Sequence, residues 1–200
     1  MLLAVLTAKG QGRTSKLTVY PDFQESVILL KSGRYIQQPL TNIFLKNSSL
    51  LYLQGDTPME ANMDQIVSVK FPDRLYVKID TLLAYPVDSI GNDVLYCATL
   101  MDLDAYHTQL RNNQMLTNLT LTGMQIDSST IDIGAEDDRK PPLINIYYYY
   151  FKGKYVKCHE RNLLQILPKE KKRVLRTFCT MNDFSWTDTD SLMKLLKGIQ

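Results

Sequence analysis

Five consecutive aromatic side chains, Tyr147 through Phe151, constrain this chain more than any other stretch. They close the run LINIYYYYF, which is β-branched and aromatic and so reads as a strand. Lys152-Gly153-Lys154 follows as a short glycine-bearing turn, and Tyr155 to His159 reads as the return strand, so a β-hairpin is predicted. Successive strand residues point to opposite faces. Rings on both faces therefore need cover on both sides, or else they form an exposed aromatic surface. Core packing of large rings favours burial. Exposure keeps Tyr147, Tyr148, Tyr149 and Tyr150 as candidate binding residues.

From Lys16 to Val87 the chain is a series of short apolar runs at 17–20, 27–30, 42–45, 50–53, 66–69, 75–79 and 82–87. Lys31-Ser32-Gly33, Asn47-Ser48-Ser49, Gly55-Asp56-Thr57-Pro58 and Pro72-Asp73-Arg74 punctuate them. Such spacing predicts an antiparallel meander curled into a sheet or small barrel. Gly91-Asn92 marks a hairpin loop between 82–87 and 94–101. Residues 102–111 read as a short helix with Asp102 as N-cap and Leu103, Tyr106 and Leu110 on one face. Weaker strands are expected at 116–121 and 125–133. The charged, Pro-paired stretch 134–142 reads as a linker.

The C-terminal part turns helical. Glu160 to Leu167 and Lys169 to Phe178 each carry an apolar side, with Pro168 placed where a helix can restart. Thr187 to Lys197 offers Thr187 as cap, acids in the first turn, lysines in the last, and Gly198 just beyond, which fits the helix dipole and its unsatisfied ends. The expected class is α+β. A β-rich domain spans 12–133, and a hairpin with a three-helix cap spans 143–200, free to pack on the same sheet.

Cys97, Cys158 and Cys179 are odd in number and lack CxxC spacing, which argues against a disulfide framework and a cysteine-rich zinc site. Cys158-His159-Glu160 is the one place where thiol, imidazole and carboxylate adjoin, but neighbours on a strand face opposite ways. Asp102, Asp104 and His107 form the best metal-type or hydrolase-type cluster, since 104 and 107 share a helix face with Asp102 one turn below. No HExxH, EF-hand, GxSxG or phosphate-loop pattern accompanies them. No cofactor is implied. Residues 151–200 carry 11 basic and 5 acidic side chains, a net +6, and the helix at 169–176 concentrates them. Lys171, Lys172 and Arg173 are its candidate contacts to phosphates or an anionic surface. With no recognition helix or stacking motif, nucleic acid is not favoured. Peripheral membrane association fits the same residues.

The chain opens MLLAVLTAKGQ, where an apolar run meets the small-x-small triplet Ala8-Lys9-Gly10, so residues 1–11 read as the remnant of a secretory leader or as a plain first strand. The order of aromatic strand, Gly153-Lys154-Tyr155-Val156-Lys157, a helix closing on Leu167-Pro168, a Lys-rich helix from Lys169, Phe184-Ser185-Trp186 and a helix over 190–196 resembles the C-terminal portion of uncharacterised exported proteins of Gram-negative bacteria. Residues 98–113 look familiar in the same company. The resemblance implies export to the periplasm or outer membrane, with no catalytic residue to carry over. The function expected is non-enzymatic: binding to another envelope protein or a surface glycan through strand edges or the tyrosine-rich hairpin.

Overall fold

A computed structural model describes residues 17–109 and 141–200. Residues 1–11, read from sequence as a leader remnant or a first strand, the weaker strands expected at 116–121 and 125–133, and most of the linker lie outside the described residues. Among the described residues ten strands form one antiparallel sheet: β1 (Gln24–Leu30), β2 (Tyr35–Phe44), β3 (Ser49–Gln54), β4 (Thr57–Glu60), β5 (Ile66–Lys70), β6 (Leu75–Ile79), β7 (Leu82–Ile90), β8 (Asp93–Met101), β9 (Leu143–Phe151) and β10 (Lys154–Lys157). The helices are α1 (103–109), α2 (Glu160–Ile166), α3 (Lys169–Cys179) and α4 (Thr189–Ile199). The class is α+β, a mainly antiparallel sheet followed by a hairpin and C-terminal helices.

The sheet is two meanders, β1 to β4 and β5 to β10, joined side by side where β1 pairs with β5. Two strands exceed the sequence reading. Turn-like letters hid the first half of β2 and all of β4, yet both pair in register. Their prolines sit where a missing donor is tolerated: Pro39 beside the β1–β2 register shift, and Pro58 on edge strand β4.

The sheet curls far enough to bring the β2–β3 turn against β7 and β8, leaving β4 and β10 as its edges. The Ser48 N-terminal turn between β2 and β3 reaches across to β7, where Leu83 N donates to Ser48 O at 3.1 Å and Ser48 Oγ donates to Leu83 O at 2.8 Å. Met101 N of β8 likewise donates to Leu45 O at 2.7 Å. These bonds satisfy backbone groups that burial would otherwise leave unpaired. Inside the curl Ile28, Ile43, Leu50, Val69, Phe71 and Tyr76 form one core. The same concave face continues along β8 to β10, where Leu95, Cys97, Tyr147, Tyr149 and Phe151 are covered by Leu163, Leu175, Leu192, Leu195 and Leu196 of the helical cap. Tyr85 of β7 packs against both cores.

Covering of both faces is the outcome for the tyrosine run. Tyr147 and Tyr149 lie under the helices, while Tyr148 packs on the opposite face with Ile79, Ala84 and Ala98. Tyr149 is fully buried, and its hydroxyl donates to Leu192 O of α4 at 2.6 Å. Burial, reinforced by the nearby Cys158 thiol, pushes the Tyr149 phenol far above its ordinary range. Burial and the Asp80 carboxylate push Tyr148 up to about 12. The hairpin turns on Lys152 (φ 50°) and Gly153 (φ 77°), a two-residue loop matched to strand twist.

Helix starts follow local chemistry. Asp102 caps α1 as expected, its Oδ1 accepting from Ala105 N at 2.9 Å. His159 caps α2, with Nδ1 accepting from Arg161 N at 3.3 Å. Two terminal features of α4 correct the sequence reading. Its cap is Asp188 and not Thr187, because Asp188 Oδ2 reaches Ser191 N at 2.8 Å. Gly198 lies inside the helix and does not end it: a Cβ there would stand 3.1 Å from Phe178 Cε2 and 3.3 Å from Val174 Cγ1, so the residue permits the close crossing of α3 and α4.

Candidate functional site

The curl leaves a cleft of about 130 Å³ between its two meanders. Its floor is apolar, made by Ile43 of β2, Leu83 of β7 and Tyr76 of β6, all buried. Arg74 and Leu143, both exposed, mark its mouth. An engineered apolar cavity of about 150 Å³ holds benzene, so the space suits a group of roughly six carbons.

Arg74 is placed by the turn between β5 and β6, which Phe71 N closes onto Arg74 O at 2.8 Å. Phe71 is buried and anchors a train of rings: Tyr20 at 4.9 Å, Tyr76 at 5.8 Å edge-on, and Tyr85 a further 5.8 Å from Tyr76. The Arg74 guanidinium lies 4.3 Å above the Tyr85 ring centre, a cation–π contact that holds the side chain across the mouth. Partial burial works against its charge, and the Tyr76, Tyr85 and Tyr20 hydroxyls outweigh that and raise its proton affinity. Tyr20 in turn donates to Asp73 Oδ1 at 2.8 Å. Among the described residues no carboxylate lies within ion-pair distance of Arg74, in contrast to Lys78, which pairs with Asp64 at 3.8 Å.

The polar groups of the lining are the Arg74 guanidinium and the hydroxyls of Ser48, Tyr76, Tyr85 and Thr99. Ser48 Oγ is engaged with Leu83 O, and the Cys97 thiol, behind Tyr85 and outside the lining, is pushed up by burial.

The residues singled out from sequence lie elsewhere. Tyr147, Tyr148 and Tyr149 are buried and cannot present an aromatic binding surface; the reason is that both faces of β9 are occupied. Tyr150 is half-buried, its ring 4.9 Å from that of exposed Tyr155 and tilted 52° to it. The sheet edges are also poor templates for strand addition. Edge strand β10 has four residues with Lys154 and Lys157 exposed, and edge strand β4 has four with Pro58. Asp102, Asp104 and His107 do not converge as ligands: Asp102 is spent on its cap, and among the described residues no three His, Cys, Asp or Glu gather closely enough to hold a metal ion. Cys158 is buried while His159 caps α2 and stacks on Trp186, so the two do not act together. Lys171 donates to Gly198 O at 3.2 Å, whereas Lys172 is half-buried and Arg173 exposed. Arg74 was passed over because Pro72-Asp73-Arg74 reads as turn punctuation; its flanking Phe71 and Tyr76 were the available signal.

Compared with protein-family models, with curated proteins and with solved structures, the chain matches none of them. No helix of the described residues is long and apolar enough to cross a membrane.

Proposed function

We propose that this chain is an exported, non-enzymatic binding protein of the cell envelope, and that its ligand-holding element is the Arg74 cleft rather than the tyrosine run or a strand edge. The observation that carries the reading is a guanidinium fixed over Tyr85 at the mouth of an apolar pocket, without a described carboxylate partner. Arginine presents a planar fork suited to carboxylate and phosphate, and a small apolar pocket beneath it takes the attached hydrocarbon. The ligand class is therefore an acyl or aryl group carrying an anionic head, borne by an envelope partner. Export rests on the opening apolar run and the C-terminal resemblance.

Two measurements test this. Hexanoate and benzoate, added to the purified chain, are expected to raise its melting temperature saturably. At ten times Kd the linkage is about 1.4 kcal/mol, or roughly 3 °C for a chain of this size. Arg74→Met abolishes the effect, and hexanol does not reproduce it. Equal shifts with hexanol, or none with either acid, would refute the cleft. Fractionation of cells expressing the gene from its own start places the product in the envelope; retention in the cytosol with the first residues intact refutes export.

A further inference from the structure

We infer that the outward face of α3, formed by Lys169, Lys172, Arg173 and Arg176, is a docking surface for an anionic lipid bilayer. The four sit at i, i+3, i+4 and i+7, so they form one stripe along the helix. The opposite side is fixed: Leu175 is fully buried, Val174 and Phe178 pack on the cap core, and Lys171 is tied to Gly198 O. The helix therefore cannot roll, and the stripe faces solvent, with Lys169, Arg173 and Arg176 exposed and Lys172 half-buried.

Among the described residues none of the four has a carboxylate within ion-pair distance. Lys169 with Arg173, and Lys172 with Arg176, are like-charge pairs at i,i+4, an arrangement that works against the helix by itself. An anionic surface laid on the stripe reverses the sign of that interaction. Exposed apolar residues flank the helix in sequence, Ile166 at 42% and Met181 at 45% exposure. A nucleic acid would instead call for rings free to stack on bases. The aromatic residues nearest this helix, Phe178, Phe184 and Trp186, are packed against one another and the cap core.

The stripe is independent of the cleft, so each can fail alone. The test is flotation with vesicles of phosphatidylcholine, with and without about a third of phosphatidylglycerol. Binding is expected only to the anionic vesicles, and it weakens as salt rises from about 0.1 M to 1 M and the screening length contracts from about 10 Å to 3 Å. Each cation near such a surface is worth about fivefold in partitioning, so the double variant Lys172→Ala, Arg173→Ala binds about 25-fold more weakly. The control pair Lys31→Ala, Arg34→Ala, exposed in the β1–β2 turn, leaves binding unchanged. Unaltered far-ultraviolet circular dichroism confirms that both variants fold. Absence of anionic-vesicle binding, equal losses in the control pair, or preference for single-stranded DNA over vesicles of equal phosphate would overturn the inference.

Discussion

Tyr149 fastens the sheet to the helical cap, and replacing it by phenylalanine separates its hydrogen bond from its packing. The ring is fully buried among Leu163, Leu192 and Leu195, and the hydroxyl donates to Leu192 O at 2.6 Å. Leu192 lies within α4, so its carbonyl keeps a helical partner at Leu196 once the hydroxyl is gone. No buried acceptor is orphaned, and the change costs about 1 kcal/mol, the ordinary net worth of a hydrogen bond. For a chain of this length that lowers the melting temperature by about 2–4 °C. Tyr149→Ala instead empties the space of a whole ring and costs about 3–5 kcal/mol. Urea unfolding followed by circular dichroism measures both. The phenol's raised folded-state proton affinity adds a second signature. Stability from keeping Tyr149 neutral is fully present below its unfolded value near pH 10 and is lost as pH rises through the higher folded value. Tyr149→Phe lacks that alkaline loss. Equal destabilisation by phenylalanine and alanine would refute the reasoning, as would an alanine variant as stable as the parent.

The crossing of α3 and α4 depends on a missing side chain, so Gly198→Val is expected to lose about 1–3 kcal/mol to overpacking against Phe178 and Val174; an unchanged urea midpoint contradicts the close approach. Lys152 holds φ 50° at the first position of the β9–β10 turn, where asparagine is preferred. Lys152→Asn is expected to gain about 0.5 kcal/mol after losing the lysine's contact with the Phe151 ring, 5.1 Å away, readable as a higher melting temperature. Asp188 has its proton affinity lowered by the Ser191 hydrogen bonds at the start of α4. Its contribution is present above the ordinary carboxylate range and is lost as pH falls through the lowered folded value. Thermal unfolding at descending pH therefore shows an acid-side loss that Asp188→Asn flattens, and identical profiles would contradict the cap.

The β9–β10 hairpin and the start of α2 were legible because their signals are local, an aromatic run, a glycine turn and an acid in the first helical turn, though the return strand ends at Lys157 and His159, read as its last residue, caps α2 instead. Asp102 was legible as a cap for the same reason. Strand β4 and the first half of β2 were hidden by Pro58 and Pro39, residues that end a strand in most settings and are tolerated here by an edge and a register shift. Gly198 was misread as a terminator since sequence does not show that α3 crosses at that point. The cleft is the extreme case. Its walls come from Val19 to Leu143, and only the β1–β5 pairing with the Ser48–Leu83 bonds brings them together. Likewise no local pattern tells Lys171, bonded to Gly198 O, from Arg173 two residues later, which faces water.

One ring belongs to two neighbourhoods. Tyr85 carries the Arg74 guanidinium on its face, while its edges touch both the curled half and the packing beneath the helices. Packed interiors tolerate little change of volume, so a substitution at Tyr85 alters the fit of both cores at once.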